Sequence, residues 1–316
     1  MHALHARLPK NFVLEERLER YADAIELEPA RLRGRWAEAC WPGIGADGTA
    51  APGPSRFREV RLDLGCGKGQ FVVESARRNP DVLFVGMDAE PICVAYAAQR
   101  ACESGLANVV IVPGNGMRVR EFFSAGELGR IYLNFPTPFP KKKKAHLRLT
   151  YLDRLMGYRP LLERGAGIRL RTDSQPLRDF SLTQLDLAGY EITWRSDDVR
   201  VEFPDEPWSA YERKLTEQGA CAFVERPAAR PAEQQGFRPP QPQPAPEFRH
   251  TPRFQQPVQA PPAAPAAEEA EEDAAASGGE ETPVIESKRK RNWSSIFQKT
   301  FDKINSSFTA AEDEEI

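Results

Sequence analysis

From residue 56 onward, apolar positions alternate between short unbroken runs and longer stretches with a helical period. Residues 60–64, 83–88, 109–113, 130–135 and 168–172 are the short runs, and they read as strands buried on both faces. Between them, 70–79, 91–104, 147–162 and 177–188 space their apolar side chains three and four apart and predict helices, the first stopped by Pro80 and the second by Gly105. Strands alternating with helices build βαβ units, so the expected fold is α/β, a mostly parallel sheet with helices on both faces. Residues 191–194 and 221–225 then read as two late strands that suit a closing antiparallel hairpin, separated by a long loop with its convincing helix at 211–218. Ahead of the sheet, 13–28 has helical spacing in Leu14, Leu18, Tyr21, Ala22 and Ile25, and either packs on the domain or caps a ligand site.

The last part of the chain has a different composition. Residues 228–316 hold 12 of the 28 prolines, with acidic runs such as Glu271-Glu272-Asp273. A stretch this poor in apolar residues cannot offset its chain entropy, and 228–287 reads as a disordered linker. The tail also masks the charge balance, because it carries 15 of the 46 acidic residues and only 10 of the 43 basic ones. The first 227 residues are therefore near neutral, and any nucleic-acid surface must be a local patch. Cys40, Cys66, Cys93, Cys102 and Cys221 show no metal-ligand spacing, so neither a metal nor a disulfide framework is expected. The N-terminus has no apolar signal core and no stretch is long enough to span a bilayer, which predicts a cytoplasmic protein.

Candidate chemistry begins at Leu62-Asp63-Leu64-Gly65-Cys66-Gly67-Lys68-Gly69, where the first strand runs into a glycine loop. Backbone amides there can approach a ligand with no Cβ in the way. A Walker loop needs GxxxxGK[ST], which is missing, and a dinucleotide loop wants a third glycine where Gln70 stands. GxGxG after an acidic residue is instead the pattern of S-adenosyl-L-methionine sites, with Asp63 near the methionine amino group and Asp88, closing strand two, near the ribose; NAD stays open as an alternative. Asn115 fits the adenine edge or is a turn residue in Gly114-Asn115-Gly116.

The second constellation is 131–148, IYLNFPTPFPKKKKAHLR, where an apolar strand enters a Pro-rich turn and then a cationic block. Lys141 to Lys144, with His146 and Arg148, suit phosphate contacts beside a base turned out of RNA. Lysines at the start of a helix over 147–162 would oppose its dipole, so helix stability does not explain them. Phe135 and Phe139 either stack on a base or bury at the sheet edge.

Leu133-Asn134-Phe135-Pro136-Thr137-Pro138-Phe139-Pro140-Lys141-Lys142 resembles the bacterial tRNA (guanine-N7-)-methyltransferase family over roughly residues 8–226, supported by Arg171-Thr172-Asp173 and Ser209-Ala210-Tyr211-Glu212. The resemblance implies a Rossmann-like class I methyltransferase fold with a seven-stranded sheet, S-adenosyl-L-methionine as cofactor and tRNA as partner. It places cofactor binding on Asp63, Gly65, Gly67, Gly69, Asp88 and Asn115. Substrate binding falls on Lys141, Asp173, Ser209, Ala210, Tyr211 and Glu212, and catalysis on Thr137 and Asp173. One departure stands out, because the family's motif aspartate is Thr137 here and its tryptophan is Phe139. The alternatives are a weakened or inactive RNA-binding or interaction protein on the same fold, and a methyltransferase with another substrate.

The organisation expected is an extension over 1–55, a methyltransferase domain over 56–227, the linker over 228–287 and a terminal segment over 288–316. In the last, Lys288-Arg289-Lys290-Arg291 leads into Trp293, Ile296, Phe297, Thr300, Phe301, Ile304 and Phe308, which share one helical face. A basic lead with an aromatic face suits a protein partner or an anionic membrane surface.

Overall fold

The computed structural model describes residues 12–38, 57–218, 222–229, 297 and 299–302. Cys40, Cys221, nearly all of the expected linker and the basic run at 288–291 lie outside the described residues. The chain divides into two units, residues 1–231 with 288–316, and residues 232–287. All that follows concerns the first.

Among the described residues seven strands form one sheet: β1 (Glu59–Leu64), β2 (Val82–Asp88), β3 (Val109–Pro113), β4 (Leu128–Asn134), β5 (Leu162–Thr172), β6 (Tyr190–Ser196) and β7 (Phe223–Ala229). Their order is β3-β2-β1-β4-β5-β7-β6. The first five are parallel, and β7 inserts antiparallel between β5 and β6. The run of Val82–Asp88 is buried over its first six residues and that of β3 over all five, as continuous apolar strands in a doubly covered sheet must be.

Helices α1 (Leu14–Arg20), α2 (Gln70–Arg78) and α3 (Pro91–Ser104) pack together. So do α4 (Val119–Phe122), α5 (Leu152–Tyr158) and α6 (Gln175–Leu187). Strand order reverses between β1 and β4, and right-handed crossovers on either side of that reversal put the two groups of helices on opposite faces. The reversal opens a crevice at the carboxyl ends of β1 and β4, where the two candidate motifs emerge.

Two helices differ from expectation. The helical period over 13–28 ends at Arg20, because Ile25 leaves to bridge Ile111 of β3 and Glu26 N donates to the Ile111 carbonyl at 2.8 Å. Over 147–162 only Leu152–Tyr158 is α-helical; Arg148 and Tyr151 are extended, and Pro160 turns the end into a 3-10 turn, Arg159–Leu161. The lysines thus stand in a 3-10 turn of their own, Lys142–Leu147, and not at the start of a long helix. Helices α7 (Val199–Glu202) and α8 (Ala210–Glu217) fill the loop before β7, α7 without an expected counterpart. Among the described residues no helix is long and apolar enough to cross a membrane.

Candidate functional site

At the reversal point a cavity of about 240 Å³ is lined by Gly65, Asp88, Asn115 and Met117 on one side and by Phe135, Thr137, Phe139 and Leu149 on the other. The glycine loop and the Pro-rich turn, more than 60 positions apart in sequence, thus face each other across one space.

On the glycine side, Gly65, Gly67 and Gly69 all have positive φ, 80°, 55° and 77°. A Cβ on Gly67 would meet nothing within 4 Å and one on Gly65 only Leu149 Cδ1 at 4.0 Å, which fits a surface left for a ligand. Gly69 differs, because a Cβ there would meet the Ala97 backbone at 2.8 Å, so this glycine lets α2 approach α3. Asp88 fixes the loop. Its Oδ2 accepts from Gly67 N at 2.7 Å and its Oδ1 from Glu90 N at 2.9 Å, while burial raises its pKa.

Asp63 lies behind the cavity wall, essentially fully buried. Asn134 Nδ2 donates to its Oδ1 at 3.0 Å, and its Oδ2 has no partner among the described residues. Burial pushes this carboxyl up to about 7, against the opposing pull of the Asn134 hydrogen bond. Asn115 is the complementary case, with Oδ1 accepting from Met117 N at 3.0 Å and a buried Nδ2 without an acceptor among the described residues. A native protein seldom keeps such groups unless something else satisfies them. An unfilled acceptor suits an ammonium, and an unfilled amide donor suits a purine ring nitrogen, which together fit the polar ends of S-adenosyl-L-methionine.

The opposite wall is built on strain. Phe135 and Phe139 are non-glycine residues at φ 54° and 38°, a conformation retained where surrounding contacts over-determine it. Phe135 N is tied to the Arg171 carbonyl at 2.8 Å. Arg148 donates from Nε to the Pro138 carbonyl and from a terminal nitrogen to that of Phe139, each at 2.9 Å, and stacks on Phe180. This corrects the assignment of Arg148 to phosphate, since its guanidinium is the clasp of the turn. Thr137 is left exposed at the mouth, and Lys141, Lys142 and Lys143 are exposed beyond it.

The late Tyr-Glu segment divides into two roles. Tyr211 donates to Asp173 Oδ2 at 2.8 Å, both residues are exposed, and the Tyr211 ring lies 5.2 Å from that of Phe135. Glu212 instead is 1% exposed, with Oε2 taken by Arg171 at 3.2 Å and Oε1 by Arg200 at 2.6 Å. Its carboxylate has no open face and serves as support. Ser209 caps α8, accepting from Glu212 N at 3.0 Å, and Ala210 starts the helix. Arg171, lowered to about 10 by burial, also binds Glu206 and the Pro207 carbonyl, while Arg200 stacks on Trp208. The two arginines hold the backbone that presents Tyr211.

Sequence reasoning missed Arg154 and Met117 in the lining and the Arg171–Glu212–Arg200 support. Arg171 stood beside Asp173 in the quoted motif, and a basic residue inside an apolar strand was the available signal. The Cys66, Cys93 and Cys102 thiols form no disulfide among the described residues and are pushed up by burial, Cys93 to about 12 and Cys102 to about 11, so none is a thiolate nucleophile near neutrality.

The family described as "Putative methyltransferase" matches residues 58–224. The tRNA (guanine-N(7)-)-methyltransferase of Geobacillus kaustophilus (strain HTA426) is 33% identical over 206 residues, covering 65% of this chain and 88% of its own. The enzyme of the same description from Limosilactobacillus fermentum (strain NBRC 3956 / LMG 18251) is 30% identical over 204 residues, 64% of this chain and 88% of its own. Among solved structures, the 16S rRNA methyltransferase KamB aligns with a TM-score of 0.45 and 16% identity, over 60% of this chain and 99% of that one.

Proposed function

The chain belongs to the tRNA (guanine-N(7)-)-methyltransferase family, and from that premise we propose that it transfers a methyl group from S-adenosyl-L-methionine to N7 of a guanine in tRNA, in the cytoplasm. One observation carries the reading: the glycine loop with Asp88 and Asn115, and the Pro-rich turn with Thr137, line the same cavity.

The donor, when bound, supplies an electrophilic methyl on a sulfonium. Gly65 and Gly67 leave room for its backbone, Asp63 answers its ammonium, Asp88 its ribose hydroxyls and Asn115 its adenine. Guanine N7 already carries a lone pair, so no residue has to remove a proton before attack. The protein's task is alignment, together with compensation for positive charge arriving on the purine. Thr137 at the mouth offers the base edge a neutral hydrogen bond. Asp173, oriented by Tyr211 at 2.8 Å, supplies the nearby negative charge, and the Phe135 ring, which packs against Tyr211, gives an apolar face for the base. Lys141 to Lys143 point exposed charge at the tRNA phosphates.

Incubating the protein with bulk tRNA and methyl-tritiated donor, then digesting to nucleosides, tests this. Label in 7-methylguanosine is expected; label in another nucleoside, or none, removes the reading.

A further inference from the structure

Two side chains near the C-terminal end are buried with the sheet's helical layer. Phe297 and Phe301 expose only 3% and 6% of their surface, against an expectation that this face would meet an outside partner. Their rings stack at 6.4 Å, and they join one apolar cluster with Leu18 of α1, Ala22 and Ile25 after it, and Val94, Ala98 and Ala101 of α3. Lys299, between them in sequence, is exposed. Residues four apart lie on one helical face, so these two side chains, which would otherwise meet a membrane or a foreign groove, are covered by the chain itself.

We propose that the segment around Phe297 and Phe301 is an intramolecular latch. Its two phenylalanines dock on the α1 and α3 layer and hold α1, with the Ile25 bridge that follows it, against the sheet. Both elements that it secures lead to the cavity wall. Ile25 and Glu26 pair with Ile111 of β3, the strand that runs on to Asn115, and α3 begins directly after Asp88. The latch therefore supports the donor-side wall from behind. This coupling rests on the function proposed above, whereas the docking does not.

Hydrogen exchange on the full-length chain tests it, comparing wild type with Phe297→Asp/Phe301→Asp. Amides of α1 and α3 are expected to exchange about 100-fold faster in the variant, since two buried aromatic anchors are lost, while α5 and α6 on the opposite face keep their rates. The milder Phe297→Leu/Phe301→Leu variant is expected to retain most of the protection, which separates undocking from general unfolding. Unchanged rates in α1 and α3 of the Asp variant overturn the latch. So does wild-type protection that falls on dilution, which assigns the helix to a second copy, and protection lost on adding vesicles of anionic phospholipid, which assigns it to a membrane. S-adenosylhomocysteine should bind the Asp variant several-fold more weakly; faster exchange with unchanged binding keeps the latch and overturns its coupling to the cavity wall.

Discussion

Asn134 Nδ2 donates to Asp63 Oδ1 at 3.0 Å, joining the last residue of the strand that feeds the substrate-side turn to the acid of the strand that feeds the glycine loop. The bond ties the two halves of the cavity together and is the main restraint on how far burial can raise the Asp63 carboxyl.

The pH dependence follows from that carboxyl. Its folded pKa, about 7, is above its ordinary value of 3.8, so between those values the native protein holds a proton that the unfolded chain has lost. Asp63's contribution to stability is therefore full below about pH 4 and is lost as pH rises to about 7. A cationic ligand group prefers the ionised form, so the affinity for S-adenosylhomocysteine should fall toward tenfold per unit as pH drops below 7. Asp63→Asn should raise the urea midpoint at pH 8 and flatten this pH profile while weakening binding. Asn134→Ala should move the inflection upward. Calorimetric titrations from pH 5.5 to 8.5, with urea denaturation at pH 8, check all three.

Gly67 and Gly69 of the loop should separate by mutation. Gly69→Ala drives a Cβ to within 2.8 Å of the Ala97 backbone and should cost about 2–4 kcal/mol of unfolding free energy, by overpacking added to an unfavourable positive φ. Gly67→Ala meets no atom within 4 Å and should cost only the backbone penalty, about 1–2 kcal/mol, yet weaken donor binding at least as much as Gly69→Ala does. Urea denaturation beside ligand titration distinguishes the two roles.

Arg171 should be a support whose loss is felt at a distance. Arg171→Met takes one buried guanidinium from Glu206 and Glu212, leaving Arg169 on the first and Arg200 on the second, and removing one partner of a buried pair typically costs about 3–5 kcal/mol. Glu212→Gln should cost less and should raise KM for tRNA more than that for the donor, because it loosens the start of α8 on which Tyr211 is carried. A Glu212→Gln variant with wild-type stability and kinetics would contradict the support role.

Thr137→Asp should speed methyl transfer. An added carboxylate at the cavity mouth offsets the purine's developing charge by a charge-assisted contact of about 1.5–3 kcal/mol, or about 10- to 100-fold in rate. Single-turnover kinetics with saturating tRNA read this directly, and an unchanged or slower rate contradicts the charge argument.

Most of the fold was legible because its strands are continuous apolar runs bounded by glycine, proline or acidic residues; β2 and β3 match expectation to within one residue. The helical reading of 147–162 ran too long because Leu149, Leu152 and Leu155 keep a helical spacing although the helix starts only at Leu152, while Leu147 and Leu149 line the cavity from the 3-10 turn and the turn after it. Glu212 and Arg148 look in sequence like charged surface residues of a nucleic-acid site. Only tertiary packing reveals that one pairs with the buried Arg171 and the partly buried Arg200, and the other holds two carbonyls of a strained turn. Phe297 and Phe301 read correctly as an apolar face, but no local pattern says whose surface such a face will cover.

The central claim is that the space between the glycine bend and the Pro-rich turn is the donor's seat. Calorimetry with S-adenosylhomocysteine on the wild-type chain and on Asp88→Ala tests it most directly. One-to-one binding by the wild type, weakened tenfold or more in Asp88→Ala at a temperature where the variant stays folded, is the predicted result; no uptake by the wild type, or equal affinity in the two, would contradict it.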